Sequence, residues 1–195
     1  MTVLHDVRLW LIRHAPVAGP TGVIHAVDAS ADTSDVAMLA DLRAKLPCGA
    51  AVLASPSVRT LATAAALGLK PIAEPDFDEQ DFGDWTGRRH DDLARELGNA
   101  YHDFWRAPAE NRPPGGESFA DQVARVLTGF EKLPAGDVVL VVHSGTIRAA
   151  LAIALDLSPE QALRFTIEPL SLTRIDRVAA GWRVVGVNCV MSRGE

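Results

Sequence analysis

Cysteine is scarce: Cys48 and Cys189 are the two among 195 residues. Neither stands in a C-x-x-C pair or beside histidines at zinc-finger spacing, so neither a disulfide framework nor a structural zinc site is indicated. Both are expected to be reduced, buried thiols. Neither has an arginine six residues on, which excludes the C-x5-R cradle of a thiolate phosphatase. Surplus positive charge is also missing: 19 Lys and Arg against 25 Asp and Glu leave a net charge of −6. That is the wrong sign for holding a nucleic-acid backbone. No apolar run reaches membrane-spanning length, and MTVLHDVR lacks the charged start and long apolar stretch of a signal peptide. A soluble, cytoplasmic protein is expected, with neither nucleic acid nor membrane as partner. Internal repeats and low-complexity tracts are lacking too, as are H-E-x-x-H, G-x-x-x-x-G-K-[ST] and G-x-S-x-G. Asp76-x-Asp78 mimics the D-x-D of aspartyl-phosphate enzymes, but no apolar strand precedes it. Metalloprotease, NTPase and serine-hydrolase readings lose their main support, and neither a metal nor a cofactor is expected.

What is present describes a globular chain. With 48% hydrophobic and 23% charged residues, it is neither disordered nor fibrous, and its length favours one domain over residues 1–195. Area scaling for this mass predicts roughly 70% of the unfolded surface to be buried. Short apolar runs at Val7 to Ile12, Ala50 to Ala54 and Val138 to Val142 read as strands covered on both faces. Helical character lies between and after them, at Ser34 to Leu46, Val58 to Leu67, Asp91 to Leu97, Phe119 to Leu133 and Thr146 to Leu155. Ser118 precedes the fourth with Asp121 three positions on, a weak relative of the capping box. Leu170 to Arg177 and Trp182 to Val190 alternate as strands do and are expected to pair as a hairpin. The pattern is an α/β sandwich with a mostly parallel sheet. Pro-Pro-Gly-Gly near the end of Ala107 to Gly116 stops any helix. This stretch closes an excursion, about residues 76–116, that carries Trp85, Trp105 and several arginines and is expected to cover a site.

In open α/β sheets ligands bind beyond the carboxyl ends of the strands. The first run ends in Arg13-His14. The second ends in Ser55-Pro56 and turns into a helix with Arg59 in its first turn. The third ends in His143, and Ser144-Gly145 opens the next helix, whose N-terminus adds free N–H groups. Each piece has an ordinary structural reading: Arg59 could cap a carboxylate and His143 could bond a carbonyl. Together, two arginines and two histidines at neighbouring strand ends of an acidic chain suit a tetrahedral dianion.

These residues resemble the histidine phosphatase superfamily, the phosphoglycerate mutase-like group. Leu11-Ile12-Arg13-His14 is similar to its Arg-His-Gly strand, and Ser55-Pro56-Ser57-Val58-Arg59 with Thr63-Ala64 to its Ser-Pro-x-x-Arg-x-x-x-Thr-Ala segment. Glu79 to Gly87 resembles the Glu-x-x-Phe-Gly-x-Trp-x-Gly block, Pro114 to Ser118 the Pro-x-Gly-Glu-Ser stretch, and Val142 to Arg148 the second histidine motif. The blocks keep the family order from Leu9 to Arg148. Departures are Ala15 in place of Gly, Pro16-Val17 in place of a polar pair, and Ala62 where Gln is frequent. Ile24 to Asp28 stands in place of Tyr-x-Gly-x-x-Asp. The resemblance implies a three-layer α/β/α sandwich with a mostly parallel mixed sheet.

It also implies the chemistry. His14 would be the nucleophile, kept unprotonated by neighbouring positive charge. Arg13 and Arg59 would neutralise phosphoryl oxygens with bidentate forks, together with His143 and Ser144. Glu79, its pKa expected to be raised beside a dianion, would protonate the leaving group and later activate water, with Asp78 and Asp81 as rivals. The expected activity is hydrolysis of a small-molecule phosphomonoester through phosphohistidine, and the branch most alike is the α-ribazole phosphatase type. Phosphoglycerate mutase-type transfer and a non-catalytic phosphoryl-binding module are the alternatives. The final hairpin offers an edge for a homodimer.

Overall fold

The computed structural model describes residues 6–190; residues 1–5, on which the reading of the chain's start largely rests, lie outside them. In chain order the elements are β1 (Val7–Arg13), α1 (Val36–Lys45), β2 (Ala51–Ala54), α2 (Val58–Ala66), β3 (Ile72–Ala73), α3 (His90–Leu97) and α4 (Asn99–Arg106). There follow α5 (Phe119–Glu131), β4 (Gly136–Val142), α6 (Ser144–Leu155), α7 (Pro159–Ala162), β5 (Leu172–Val178) and β6 (Gly181–Cys189). The strands form one sheet in the order β3-β2-β4-β1-β5-β6. The first four are parallel to one another, whereas β5 and β6 join antiparallel. The α/β class and the mixed sheet agree with the expectation.

Strand periodicity explains the layers. Side chains alternate across a strand, so Val7, Leu9 and Leu11 of β1 and Val138, Leu140 and Val142 of β4 point to one face. There they pack on Phe119, Val126 and Phe130 of α5 and Ile147 and Leu151 of α6. Ile12, Val139 and Val141 point the other way, onto Leu39 and Leu42 of α1 and Ala64 of α2. Burying each such aliphatic side chain stabilises by about 1.5–3 kcal/mol, and flat apolar runs are what a sheet covered on both faces requires. The start of α5 is fixed by a full capping box, with Ser118 and Asp121 each accepting the other's backbone N–H.

A third, separate cluster gathers Ile24, Trp85, Leu93, Tyr101 and Phe104. It ties loop 16–28 to the excursion: Ile24 N–H donates to Arg88 O at 3.0 Å, Gly87 N–H to Ile24 O at 2.6 Å and His90 N–H to Gly22 O at 3.0 Å. Gly83 is positioned by close approach. A Cβ there would lie 2.2 Å from Pro114 O, so the Phe-Gly-x-Trp and Pro-x-Gly-Glu-Ser blocks interlock backbone to backbone.

Two features depart from the sequence reading. Helix α4 has no counterpart there; it follows α3 after Gly98, whose φ of +54° breaks the run, and its Tyr101 and Phe104 face the third cluster. The thiols expected to be buried are both free and exposed. Cys48 sits in the turn between α1 and β2, and Cys189 ends the edge strand β6, where a side chain has no second layer to pack against.

Candidate active site

Sheet register brings the functional side chains together. Strands β1, β4 and β2 are adjacent and parallel, and Arg13 pairs with Val142 while Ala54 pairs with Val141. The next residue on each strand is therefore His14, His143 and Ser55, side by side at one carboxyl edge. Two bonds extend the ladder past the strands: His14 N–H donates to Val142 O at 2.9 Å, and Ser55 N–H to Val141 O at 3.2 Å. The two imidazole rings lie edge to face, with centroids 5.1 Å apart. Arg13, His14, Arg59, Glu79 and Ser144 all line one cavity of about 820 Å³.

His14 is 5% exposed, and its Nδ1 lies 2.7 Å from the carbonyl of Ala15. A carbonyl only accepts, so Nδ1 carries the hydrogen and Nε2 keeps its lone pair. Burial, then the positive charge of His143, Arg59 and Arg13, pushes the His14 pKa down to about 3, against the raising effect of the Ala15 bond. The ring is neutral at pH 7 with a defined nucleophilic nitrogen. Its loop is held from below, since Ala15 N–H donates to Thr63 Oγ1 at 3.0 Å.

The arginines are anchored by carbonyls. Arg13 Nη1 donates to Ile167 O at 2.5 Å and Arg59 Nη1 to Ala26 O at 2.8 Å. One nitrogen of each guanidinium is fixed in this way, which orients the fork and leaves the other nitrogens for an anion. Arg148, one turn into α6, lines the same cavity and donates Nε to Phe165 O at 2.8 Å.

Glu79 lies at the amino end of α6. Its Oε2 accepts from Gly145 N–H at 3.4 Å and from Ser144 Oγ at 3.5 Å, and its Oε1 from Gln80 N–H at 3.1 Å and Gln122 Nε2 at 3.2 Å. The rise expected of its pKa is one beside a bound dianion; in the ligand-free protein the balance is the other way. Burial does push it up, but the positive field of His143 and the hydrogen bonds from Gln122, Gln80 and Gly145 outweigh that and hold the carboxyl below its ordinary value. Glycine at 145 leaves room for this contact: a Cβ there would lie 2.1 Å from Glu79 Oε1 and displace the carboxylate.

The rivals of Glu79 are placed differently. Asp78 accepts from Ser55 Oγ at 2.7 Å and Ser57 Oγ at 2.9 Å. Although burial raises it, bonds to His143, Ser55 and Ser57 keep it well below the usual carboxylate range. Such a group is a poor acid. Asp81 accepts from the Gly83 N–H at 2.8 Å and shapes the turn. Ser144 stands at the site with its hydroxyl near Glu79, and His143 is fully buried with Nε2 2.8 Å from Ser55 Oγ. Arg88, Arg106 and Arg112 are engaged in ion pairs with Glu96, Asp103 and Asp121. Sequence reasoning missed Ser57, Gln122 and Arg148 as site residues. Ser57 and Arg148 lay inside motifs it quoted, whereas Gln122 carries no local signal.

Comparison with known proteins follows the same residues. A family model described as histidine phosphatase superfamily (branch 1) matches residues 9–190. Over 103 residues the chain is 39% identical to a 2,3-bisphosphoglycerate-dependent phosphoglycerate mutase of Azorhizobium caulinodans, covering 50% of each. Over 140 residues it is 35% identical to a bifunctional protein of Mycobacterium tuberculosis, covering 68% of this chain and 38% of that one. The chain thus spans half or less of the length of these curated relatives. Among solved structures, a mycobacterial glucosyl-3-phosphoglycerate phosphatase superposes with a TM-score of 0.78 at 25% identity, covering 94% of this chain and 99% of that one. An alpha-ribazole phosphatase from Shigella flexneri superposes with a TM-score of 0.76 at 23% identity, over 96% and 100%; this second likeness is one of fold.

Proposed function

The chain belongs to the histidine phosphatase superfamily, branch 1, and from that premise we propose that it is a metal-independent phosphomonoesterase acting through phosphohistidine on His14. The observation that carries this reading is the neutral, buried His14 ring, whose Nδ1–H is tied to Ala15 O at 2.7 Å and whose Nε2 is free to attack. Nε2 forms a bond to phosphorus as the ester P–O bond breaks in line. Arg13 and Arg59 take up the charge of the phosphoryl oxygens, and His143 supports them from the far side.

The leaving alkoxide needs a proton, and Glu79 is the carboxyl that lines the cavity beside the helix N-terminus. Because Glu79 is ionised in the free protein, its proton arrives with the substrate. The negative charge of a bound phosphoryl group raises its pKa, and a monoanionic ester carries the proton that Glu79 takes and then passes to the alkoxide. In the second half, Glu79 takes a proton from water as the water oxygen bonds to phosphorus and the N–P bond breaks, releasing inorganic phosphate. No step needs a metal ion.

The apolar part of the cavity lining favours a hydrolase for an uncharged, ring-bearing ester such as α-ribazole 5'-phosphate. Val17, Val23, Ile24, Val27 and Trp105 supply that part, with His25, Thr86 and His90 among them. Arg125 across the cavity is engaged with Glu117 and the carbonyls of residues 75, 76, 78 and 79. A phosphoglycerate would bring a carboxylate that needs a cation of its own, and Arg148, which lines the cavity with Nε on Phe165 O, is the one that would meet it. The likeness to phosphoglycerate mutases over half the chain keeps transfer to an organic hydroxyl as the second reading.

Turnover of p-nitrophenyl phosphate in EDTA by the wild type, abolished in His14→Ala, is the expected result. Absence of turnover for a panel of monoesters across a pH series would instead favour a phosphoryl-binding module. Competition between α-ribazole 5'-phosphate and 3-phosphoglycerate separates the substrate readings, and transfer to an added alcohol in preference to water would mark a mutase. The reaction is assigned to the cytoplasm, and a second copy pairing along β6 is the partner to test by sedimentation.

A further inference from the structure

Helix α5 meets the segment that carries Glu79 along one face. Gln122, Arg125 and Gly129 stand at helical spacing and so share a stripe. All three meet residues 75–79. Gln122 Nε2 donates to Asp78 O at 3.1 Å and to Glu79 Oε1 at 3.2 Å, and Gly129 makes room for the Phe77 ring, which a Cβ there would approach to 2.6 Å. Arg125, between them, makes the most bonds. Its Nη1 donates to the carbonyls of Pro75 at 3.3 Å, Asp76 at 3.0 Å and Asp78 at 3.2 Å, and its Nη2 to Glu79 O at 3.2 Å.

Four carbonyl oxygens turned toward one place repel one another unless a group with several donors lies among them. A guanidinium suits that position, because its planar fork carries five N–H donors. Glu117 fixes the fork from the other side: its carboxylate accepts from Arg125 Nη2 at 2.5 Å and Nε at 3.4 Å, and also from Asp81 N–H at 3.1 Å. One ion pair therefore holds the chain both before and after Glu79. The neighbouring carbonyls of Phe77 and Asp78 have a further donor in Thr146 Oγ1, at 3.1 and 3.2 Å. The Glu79 carbonyl is different. Among the described residues, its hydrogen bond comes from Arg125 alone.

We propose that Arg125 is a positioning residue which, paired with Glu117, holds the backbone of Glu79 so that its carboxyl meets the leaving oxygen of the ester. The inference rests on the phosphatase reading and adds a residue to it. Its signature is a dependence on the leaving group. An alkoxide such as that of benzyl phosphate needs the proton that Glu79 delivers, whereas p-nitrophenolate departs without one. Losing a positioned acid outright costs about 10²–10⁴-fold; loosening it in Arg125→Met is expected to lower kcat/KM for benzyl phosphate by on the order of 10- to 100-fold. For p-nitrophenyl phosphate the same parameter should stay within about a few-fold. Arg125→Lys keeps the charge but not the fork, and is expected to show an intermediate loss confined to the benzyl ester.

The measurement that does not depend on turnover is amide hydrogen exchange, read residue by residue by NMR. The proposal expects the amides of Glu79, Gln80 and Asp81 to exchange faster in Arg125→Met than in the wild type, while those of β1 and β4 keep their rates. Unchanged exchange at those three amides, or equal losses of kcat/KM for the two esters, would overturn it. If Arg125→Met does not fold, Arg125→Lys is read by the same two measurements. A wild type that turns over neither ester would defeat the phosphatase reading, while the three amides would still decide whether Arg125 holds the segment.

Discussion

The floor of the cavity and its apolar wall are held in place by different means. The floor is backbone geometry: His14, Ser55 and His143 follow three paired parallel strands, and the first ladder bonds beyond the strands, at 2.9 and 3.2 Å, fix their spacing. The wall is side-chain packing: loop 16–28 and the excursion meet around Trp85, which lies edge to face with Phe104 at 4.8 Å, and Trp105 at the mouth is 41% exposed. Its outward ion pairs are exposed and contribute little, about 0–1 kcal/mol each. Displacing a floor group should therefore alter chemistry with little loss of stability, and damaging the wall should do the reverse.

The largest effect expected from a single methyl group is at Gly145. Gly145→Ala puts a Cβ against the Glu79 carboxylate, whose flexible end can move aside. Loss of a positioned acid costs about 10²–10⁴-fold, so kcat should fall by about 10²-fold while the unfolding midpoint barely moves. Steady-state kinetics alongside calorimetry checks both, and a large drop in the midpoint would show that the floor is not separable. Trp85→Ala makes the opposite cut. Removing a buried tryptophan costs about 3–5 kcal/mol, so denaturant titration should register a clear loss and KM should rise. The kcat for p-nitrophenyl phosphate should stay within about a few-fold, because uniform binding is what is lost. A collapse of kcat instead would make the wall part of the catalytic machinery.

The smallest effect is a slope. His14 has its pKa lowered to about 3 in the folded protein, against about 6.5 in an unfolded chain. Between those values the unfolded state binds more protons, so this group's contribution to stability is full above about pH 6.5 and is lost as pH falls toward 3. Activity needs the neutral ring, so the acid limb set by His14 lies well below that of a free imidazole. His14→Asn should flatten the stability–pH curve over that window, as equilibrium unfolding at several pH values would reveal; an unchanged slope would mean that the ring titrates normally.

The same division explains how much could be read from the amino acids. Three flat apolar runs and the residues closing them were enough to anticipate the sheet and the meeting of Arg13, His14, Arg59 and His143, because parallel strands share a carboxyl edge. The two-residue strand β3 is too short to show a period, and α4 hides behind Gly98 among polar and aromatic residues. The lowered proton affinity of Glu79 in the ligand-free protein could not be anticipated, since it depends on Gly145 N–H and Gln122, groups that arrive from elsewhere in the chain. Asp78 could be named only as a rival acid until the serines at positions 55 and 57 were seen to bind it.

The account rests on His14 as the atom that takes the phosphoryl group. Rapid mixing with a monoester, an alkaline quench that preserves N–P bonds, and peptide mass spectrometry test it most directly. A phosphoryl group on His14, formed and lost at rates matching turnover and absent in His14→Ala, is the predicted result. Turnover with no phosphorylated His14, or with the group on an aspartate or serine, would contradict it.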